Sequence, residues 1–166
     1  MSFPPKRILI LGATSAIAQA IARKFASSET QFFLIGRDIQ KLDAVATDLQ
    51  ERFSCMVHRY QMDLADNSRH QEVIETAKKK LGNFDLALIA HGVLPEQDEI
   101  KNDADAVLNS LNVNFNSAVS LLTHMSDIFE QQKTGSIAVI SSVAGDRGRK
   151  MLYVYGAAKA GLSSFA

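Results

Sequence analysis

Short apolar runs alternate along the chain with longer segments in which apolar residues recur every three or four positions. The short runs predict five strands, at residues 7–11, 32–35, 55–61, 84–90 and 136–141. The longer segments predict helices at residues 16–26, 39–53 and 103–132, and another from Tyr155 onward. A further helix, capped by Asn67 or Ser68, is predicted to run through Leu81. Because strands and helices alternate, we expect an α/β fold with a right-handed, doubly wound parallel sheet, in one domain that spans residues 1–166.

The helix predicted at residues 103–132 carries two sets of apolar residues. One stripe consists of Leu111, Phe115, Ala118, Leu122, Met125 and Phe129, and a second set consists of Val113, Leu121 and Ile128. One stripe is enough to cover a sheet. The second set therefore predicts contact with a further helix or with another subunit, and we expect a homodimer or homotetramer formed through this helix and the helix that starts near Tyr155.

Composition and charge favour a small-molecule partner. Lysine and arginine total 18 against 18 acidic residues, so neither nucleic acid nor an anionic membrane is an expected partner. The single cysteine, Cys55, suits a reducing, cytoplasmic location and is expected to be buried filler. No apolar run approaches the roughly 20 residues that span a bilayer. The histidines are scattered without metal-ligand spacing, so we expect no metal site.

Candidate acid–base chemistry lies near the carboxyl end of the chain. Tyr155 and Lys159 are four residues apart, so on a helix they share one face. An ammonium at that distance favours the phenolate, which lets a tyrosine exchange a proton closer to neutral pH. Ser142 follows the strand predicted at residues 136–141 and can present a hydroxyl to the same place, the edge of an open α/β sheet where ligands collect.

The Ser, Tyr-x-x-x-Lys pattern resembles the active site of the short-chain dehydrogenase/reductase family, which has the Rossmann fold. The resemblance covers nearly the whole chain and is carried, in order, by Gly12, Asp63, Gly92, Asn114, Ser142, Tyr155 and Lys159. It implies hydride exchange between a nicotinamide and a substrate carbonyl or secondary alcohol. In that scheme Tyr155 passes the proton and Ser142 hydrogen-bonds the substrate oxygen. Lys159 assists Tyr155 and holds the nicotinamide ribose, while Asn114 anchors a water of the proton relay.

The turn after the first strand is a candidate cofactor site. Gly12 lets the backbone approach a pyrophosphate, and the amides at the start of the next helix stabilise its charge. We therefore assign Thr14, Ser15, Ala16 and Ile17 to the cofactor site together with Gly12. The family usually shows Gly-x-x-x-Gly-x-Gly here, whereas this sequence has alanine at positions 16 and 18.

The end of the second strand bears on the choice of cofactor. An acidic residue there would bind the ribose hydroxyls of NAD, whereas an arginine pairs with the 2′-phosphate of NADP. The strand ends at Gly36 and Arg37 follows, which favours NADP, with NAD as the alternative. Asp38, the next residue, is an argument for NAD, although it is also placed to cap the next helix. Arg37 as a solvated loop charge remains open.

The ends of the third and fourth strands complete the expected cofactor site. Asp63 and Leu64 resemble the family's turn beside the adenine, although Asp63 is also a common turn-former. Ala90, His91 and Gly92 stand where the family shows Asn-Ala-Gly, so only the glycine agrees. We expect His91 to pack or to form part of the cofactor wall rather than to donate a proton.

The resulting functional hypothesis is NADPH-dependent reduction of a ketone. Residues 90–94 and 141–149 are similar to the branch of the family that reduces decaprenyl-phosphoryl keto-ribose, which implies a keto-sugar or lipid-linked sugar as substrate. The alternative is a catalytically silent nucleotide-binding or scaffold protein, favoured by the two alanines and the missing asparagine.

The chain reaches Ala166 inside a predicted helix that has no stop signal. Members of the family continue with further strands and a substrate lid. We therefore expect the 166 residues to be a fragment or the ordered portion of a longer polypeptide, with residues 136–140 as an unprotected sheet edge.

Overall fold

A computed structural model describes residues 4–166, so the first three residues of the predicted domain lie outside the described part. The strands are β1 (Arg7–Leu11), β2 (Gln31–Gly36), β3 (Met56–Gln61), β4 (Leu86–Ile89) and β5 (Ser136–Val139). All four strand pairs are parallel, and the order across the sheet is β3-β2-β1-β4-β5. The predicted doubly wound parallel sheet is confirmed, with β5 at one edge.

The helices follow the predicted order, with one short helix added and the helix predicted at residues 103–132 divided into two. They are α1 (Ala16–Phe25), α2 (Ile39–Phe53), α3 (His70–Leu81), α4 (Gln97–Ile100), α5 (Ala104–Leu111), α6 (Ser117–Gln132) and α7 (Tyr153–Phe165). The short helix α4 carries too few residues for its periodicity to be visible in the sequence. Asp38 caps α2 as expected, because its carboxylate accepts from the Lys41 N–H.

The predicted cap of α3 is wrong. A single turn of 3-10 helix at Asn67–Arg69 precedes α3, and Asp66 caps that turn by accepting from the Ser68 N–H. Neither Asn67 nor Ser68 starts the α-helix. An aspartate satisfies the free N–H groups of a helix start as well as the two predicted residues do, and local sequence does not separate the three.

The predicted single helix at residues 103–132 contains a π-helical turn at Asn112–Asn116, between α5 and α6. This turn shifts the helical phase, so the second apolar set does not form one surface. Leu121 is fully buried in the core between the sheet and helices α3 and α6, whereas Val113 lines a cleft at the edge of the sheet. The residue that contacts a further helix belongs to the first stripe instead, since the Phe115 ring lies against Gly161 of α7.

Two cores flank the sheet because alternate residues of each central strand face opposite sides. Leu9 and Leu11 of β1 pack with α3 and α6, whereas Ile8 and Ile10 pack with α1 and α2. Cys55 is buried, as expected, and its thiol donates to the Ser27 carbonyl at 3.3 Å. Burial raises the pKa of that thiol, as befits unreactive core filler.

None of the helices within residues 4–166 is long and apolar enough to span a bilayer.

Candidate functional site

Two adjoining clefts lie at the carboxyl ends of the parallel strands. The first has a volume of about 240 Å³ and is lined by residues that follow β1, β2, β3 and β4, and by Val113 of the π turn. The second, of about 320 Å³, contains Tyr155 and Lys159. Ser15 and residues 90–93 line both clefts, so the two are continuous.

The turn after β1 brings the backbone close to the end of β4. Gly12 has φ +87°, and a Cβ atom built on it would lie 2.5 Å from the backbone nitrogen of His91. Only glycine suits this position, since it alone tolerates both the left-handed conformation and the contact. Ser15 caps α1 by accepting from the Ala18 N–H at 3.1 Å.

The two alanines that replace the family's glycines do not disturb this turn. Ala18 is completely buried in the core on the α1 side of the sheet, whereas Ala16 is exposed and lines the second cleft beside Ile17. The N–H groups of Ala16 and Ile17 belong to the first helical turn, where no carbonyl lies one turn earlier to accept them. They are available to an anion.

Arg37 lines the first cleft and is exposed, and its guanidinium makes no ion pair within residues 4–166. Asp38 is engaged instead, since its carboxylate caps α2 and pairs with Lys41 at 3.5 Å. The hydrogen bond from the Lys41 N–H lowers the pKa of Asp38. At the end of β2, the Arg37 guanidinium is therefore available to a ligand, whereas the Asp38 carboxylate is already bound to Lys41.

The loop between β3 and α3, residues 62–66, forms another wall of the first cleft. Asp63 and Leu64 both line it, next to Met62 and Ala65. The Asp63 carboxylate accepts from the Ala65 N–H at 3.0 Å, a local turn that holds the loop. Asp63 is thus a turn-former and a cleft residue at once.

His91 stands where the two clefts meet, as an uncharged imidazole. The Ser117 hydroxyl donates to the Val113 carbonyl at 2.8 Å and therefore accepts from His91 Nε2, 2.6 Å away. This assigns the proton to Nε2, and the buried Nδ1 has no hydrogen-bond partner within residues 4–166. Burial, reinforced by the charge of Lys159, lowers the pKa of His91 to about 4. His91 thus lines both clefts as a neutral imidazole.

The His91 environment predicts a specific sensitivity to acid. Below pH 6.5 the unfolded chain protonates this histidine while the folded chain does not until about pH 4. Stability is therefore lost as the pH falls through this window, by on the order of 3 kcal/mol. Urea unfolding at several pH values should show a shallower decline for His91→Ala than for the parent. The control is His124→Ala, which removes a half-buried histidine outside both clefts, and equal declines for the parent and His91→Ala would contradict the assignment.

Tyr155 and Lys159 face the second cleft from α7. Lys159 is only 3% exposed, and its Nζ donates to the Ile140 carbonyl at 2.8 Å, just beyond the end of β5. The ammonium lies 5.7 Å from the centre of the Tyr155 ring. Burial lowers the pKa of Lys159. The sequence spacing therefore correctly places a cation and a phenol together in the cleft.

Ser142 and Asn114 lie outside the cleft linings. The Ser142 hydroxyl accepts from the Ala144 N–H at 3.1 Å and caps a short turn after β5. Asn114 is buried, with its side-chain oxygen accepting from the Val93 N–H and its amide group donating to the carbonyls of Val93 and Ser110. Asn114 thus braces the loop after β4 from behind, and in this arrangement its side chain is not free to anchor a water in the cleft.

Several cleft residues were not predicted from the sequence. They are Gly36, Met62, Ala65, Val93 and Val113 in the first cleft, and Leu94 and Ile140 in the second. Most lie next to a predicted site residue, so extending each motif by one residue would have found them. Leu94 and Ile140 lie two residues from a predicted site residue. Val113 is adjacent to Asn114, but its place in the wall depends on the phase of the π turn.

A doubly wound parallel sheet with a glycine turn after β1 and clefts at its carboxyl edge is the arrangement of a Rossmann-type α/β domain. Residues 6–166 match the short chain dehydrogenase family. The chain belongs to that family, as the resemblance implied.

Several curated proteins are similar to this chain in sequence. Two proteins of Mycobacterium tuberculosis, each named an uncharacterized oxidoreductase, are 33% identical over 159 residues, which is 96% of this chain and 64% of theirs. Hydroxysteroid 11-beta-dehydrogenase 1-like protein B of Xenopus laevis is 32% identical, over 96% of this chain and 55% of its own. The chain thus spans less than two thirds of the length of these relatives.

Solved structures share the fold. Xylitol dehydrogenase bound to NAD+ superimposes with a TM-score of 0.85 at 21% identity, covering 96% of this chain and 61% of the dehydrogenase. Actinorhodin polyketide ketoreductase with NADPH superimposes with a TM-score of 0.86 at 19% identity, covering 96% and 62%.

Proposed function

We propose that this protein is an NADPH-dependent oxidoreductase that reduces a ketone. The observation that carries the proposal is the pairing of Tyr155 with the buried Lys159 in the second cleft, which is continuous with the first cleft and its Arg37. A tyrosine and a lysine on one helical face have no folding requirement to meet there, and burying an ammonium without a carboxylate partner costs free energy.

The residues of the first cleft fit the adenosine and pyrophosphate of a dinucleotide. Gly12 has no side chain where the backbones of β1 and β4 approach each other, and the Ala16 and Ile17 N–H groups are available to phosphate oxygens. Asp63 and Leu64 line the cleft where an adenine would lie, and Arg37 would offer its guanidinium to a 2′-phosphate. Bound in this way, a reduced nicotinamide would supply the hydride in the second cleft.

Arg37 is expected to decide between the two cofactors. A charge-assisted hydrogen bond contributes about 1.5–3 kcal/mol, so Arg37→Ala should weaken NADPH binding by roughly ten- to a hundredfold and leave NADH nearly unchanged. Titration of each cofactor by nicotinamide fluorescence measures both constants. Lys79→Ala, which removes an exposed positive charge on α3, is the control for net charge. A parent protein that binds the two cofactors equally would contradict the NADP assignment.

Residues of the chain itself would then supply the proton that the reduced substrate needs. Tyr155 donates its hydroxyl proton to the developing alkoxide of the substrate, and Lys159 stabilises the phenolate that remains. The Ile140 carbonyl fixes Lys159 in place. The Ser142 hydroxyl accepts from the Ala144 N–H, which leaves its own proton available to hydrogen-bond the substrate oxygen. His91 stays neutral and adds no second charge beside Lys159.

The substrate is proposed to be a keto-sugar or a lipid-linked sugar, as in the branch that reduces decaprenyl-phosphoryl keto-ribose. Ile17 and Leu94 line the second cleft and are 54% and 61% exposed, which gives its mouth an apolar rim. Such a rim suits the apolar part of a substrate. We also propose a cytoplasmic location and a homodimer or homotetramer formed through α5, α6 and α7. Leu108 of α5, 61% exposed, is a candidate contact.

A silent nucleotide-binding or scaffold protein is the second candidate. It is favoured by Ser142, which lies outside both cleft linings. Assaying NADPH oxidation against a panel of ketones separates the two functions. Turnover that Tyr155→Phe abolishes supports the enzyme, whereas cofactor binding without turnover of any ketone supports the scaffold.

A further inference from the structure

The π turn and the start of α6 hold two of the loops that line the first cleft. Asn114 and Ser117 reach the loop after β4, through Val93 and His91 respectively. A different set of side chains holds the β3–α3 loop, residues 62–66. π turns are rare and occur frequently at functional sites, and the second set includes Asn112 of the π turn.

The amide group of Asn112 bonds to the β3–α3 loop through its nitrogen and to the 3-10 turn that follows the loop through its oxygen. Its Nδ2 donates to the Ala65 carbonyl at 2.9 Å, and its Oδ1 accepts from Asn67 Nδ2 at 3.0 Å. Because donor and acceptor are both used, the orientation of the amide is fixed. The partners lie 47 and 45 residues away along the chain, so these bonds tie the helix to the loop rather than stabilising a local turn.

His70 holds the adjacent peptide group of the same loop. It is completely buried, and its Nε2 lies 3.1 Å from the Leu64 carbonyl, which can only accept. The proton is therefore on Nε2, and Nδ1 accepts from the Ser120 hydroxyl at 2.9 Å. Ser120 lies on α6, one turn beyond Ser117. Two consecutive carbonyls of the loop, those of Leu64 and Ala65, are thus bound by His70 and Asn112.

We propose that Asn112 and His70 are positioning residues for the adenine end of the cofactor. They act through the loop, because Asn112 binds the Ala65 carbonyl and His70 binds the Leu64 carbonyl. With both carbonyls bound to the helices, Asp63, Leu64 and Ala65 remain in the lining of the first cleft. Release of either carbonyl lets these peptide groups rotate and removes the preformed surface. The inference rests on the proposed function, because it requires that a dinucleotide occupies the cleft.

Asn112→Ala tests this role with three probes: NADPH, adenosine 2′,5′-bisphosphate for the adenine end, and reduced nicotinamide mononucleotide for the other end. Loss of one loop hydrogen bond should weaken NADPH and the bisphosphate by the same factor, roughly three- to tenfold, and leave the mononucleotide unchanged. Asn112→Asp keeps the size but cannot donate to the Ala65 carbonyl, so it should show the same pattern. Asn116→Ala is the matched control, since that asparagine is exposed on the same π turn.

His70 provides the second arm. His70→Ala should reproduce the selective loss of adenine-end affinity, and His70→Gln, which retains an amide donor for the Leu64 carbonyl, should recover part of it. Amide hydrogen exchange should quicken in residues 62–67 and not in the turn at residues 12–15.

The possible failures are distinguishable. If the parent binds none of the three probes, the proposed function is wrong and the inference falls with it. If the parent binds NADPH and Asn112→Ala leaves its affinity unchanged, or weakens the mononucleotide and the bisphosphate equally, only the positioning role is wrong.

Discussion

Tyr155→Phe should abolish ketone reduction while leaving NADPH affinity nearly unchanged. The phenyl ring keeps its packing against Lys159, whose Nζ lies 5.7 Å from the ring centre, and only the transferable proton is lost. Positioned general acids contribute roughly 100- to 10,000-fold to rate. The measurements are NADPH oxidation, with any ketone that the parent reduces, and a cofactor titration. A loss of kcat at constant cofactor affinity identifies an interaction that matters in the transition state.

Tyr153→Phe is the matched control for this variant. Tyr153 is the first residue of α7, is 48% exposed and lies outside the lining of both clefts. Tyr153→Phe also removes one phenol hydroxyl from α7, but outside the clefts, so turnover should be unaffected. An active Tyr155→Phe enzyme, or equal losses in the two variants, would remove the assigned role.

Gly12→Ala is expected to have the largest effect on binding and stability together. The left-handed backbone at φ +87° costs a non-glycine residue about 1–2 kcal/mol. The new Cβ would also lie 2.5 Å from the His91 nitrogen, which forces the ends of β1 and β4 apart. Overpacking of this kind adds about 1–3 kcal/mol, so the thermal midpoint should fall by roughly 5–15 °C. NADPH affinity should fall more than tenfold, because the displaced segments line both clefts.

Gly148→Ala isolates the cause. Gly148 is exposed, has no positive φ and has no heavy atom within 4 Å of a Cβ built on it. The same chemical change there should leave the melting temperature and NADPH affinity unaltered. Wild-type behaviour of Gly12→Ala in both measurements would contradict the close approach of the two strands.

The sheet was predictable because its strands are short, apolar and separated by clear turn signals. Periodicity also located the helices, and the four-residue spacing of Tyr155 and Lys159 placed that pair correctly in the second cleft. These features depend on local sequence, in which apolar period and side-chain direction are coupled.

What the sequence did not reveal depends on long-range contacts. The π turn at Asn112–Asn116 is a change of helical phase with no residue signature, so Val113 was assigned to an outer apolar set rather than to the cleft. Asn114 matched a family motif, yet its bonds to Val93 depend on how the loop after β4 folds back. The hydrogen bond from His91 to Ser117 likewise joins residues 26 positions apart, and no periodicity indicates such a pair.

The central claim is that the continuous clefts bind a phosphorylated nicotinamide dinucleotide, and a fluorescence titration tests it directly. The protein contains no tryptophan, so nicotinamide emission can be followed without energy transfer from that residue. Adding protein to NADPH should give a saturable change in emission that Gly12→Ala abolishes and Gly148→Ala preserves, with NADH binding more weakly. No change with either cofactor at protein concentrations up to the solubility limit would contradict the account.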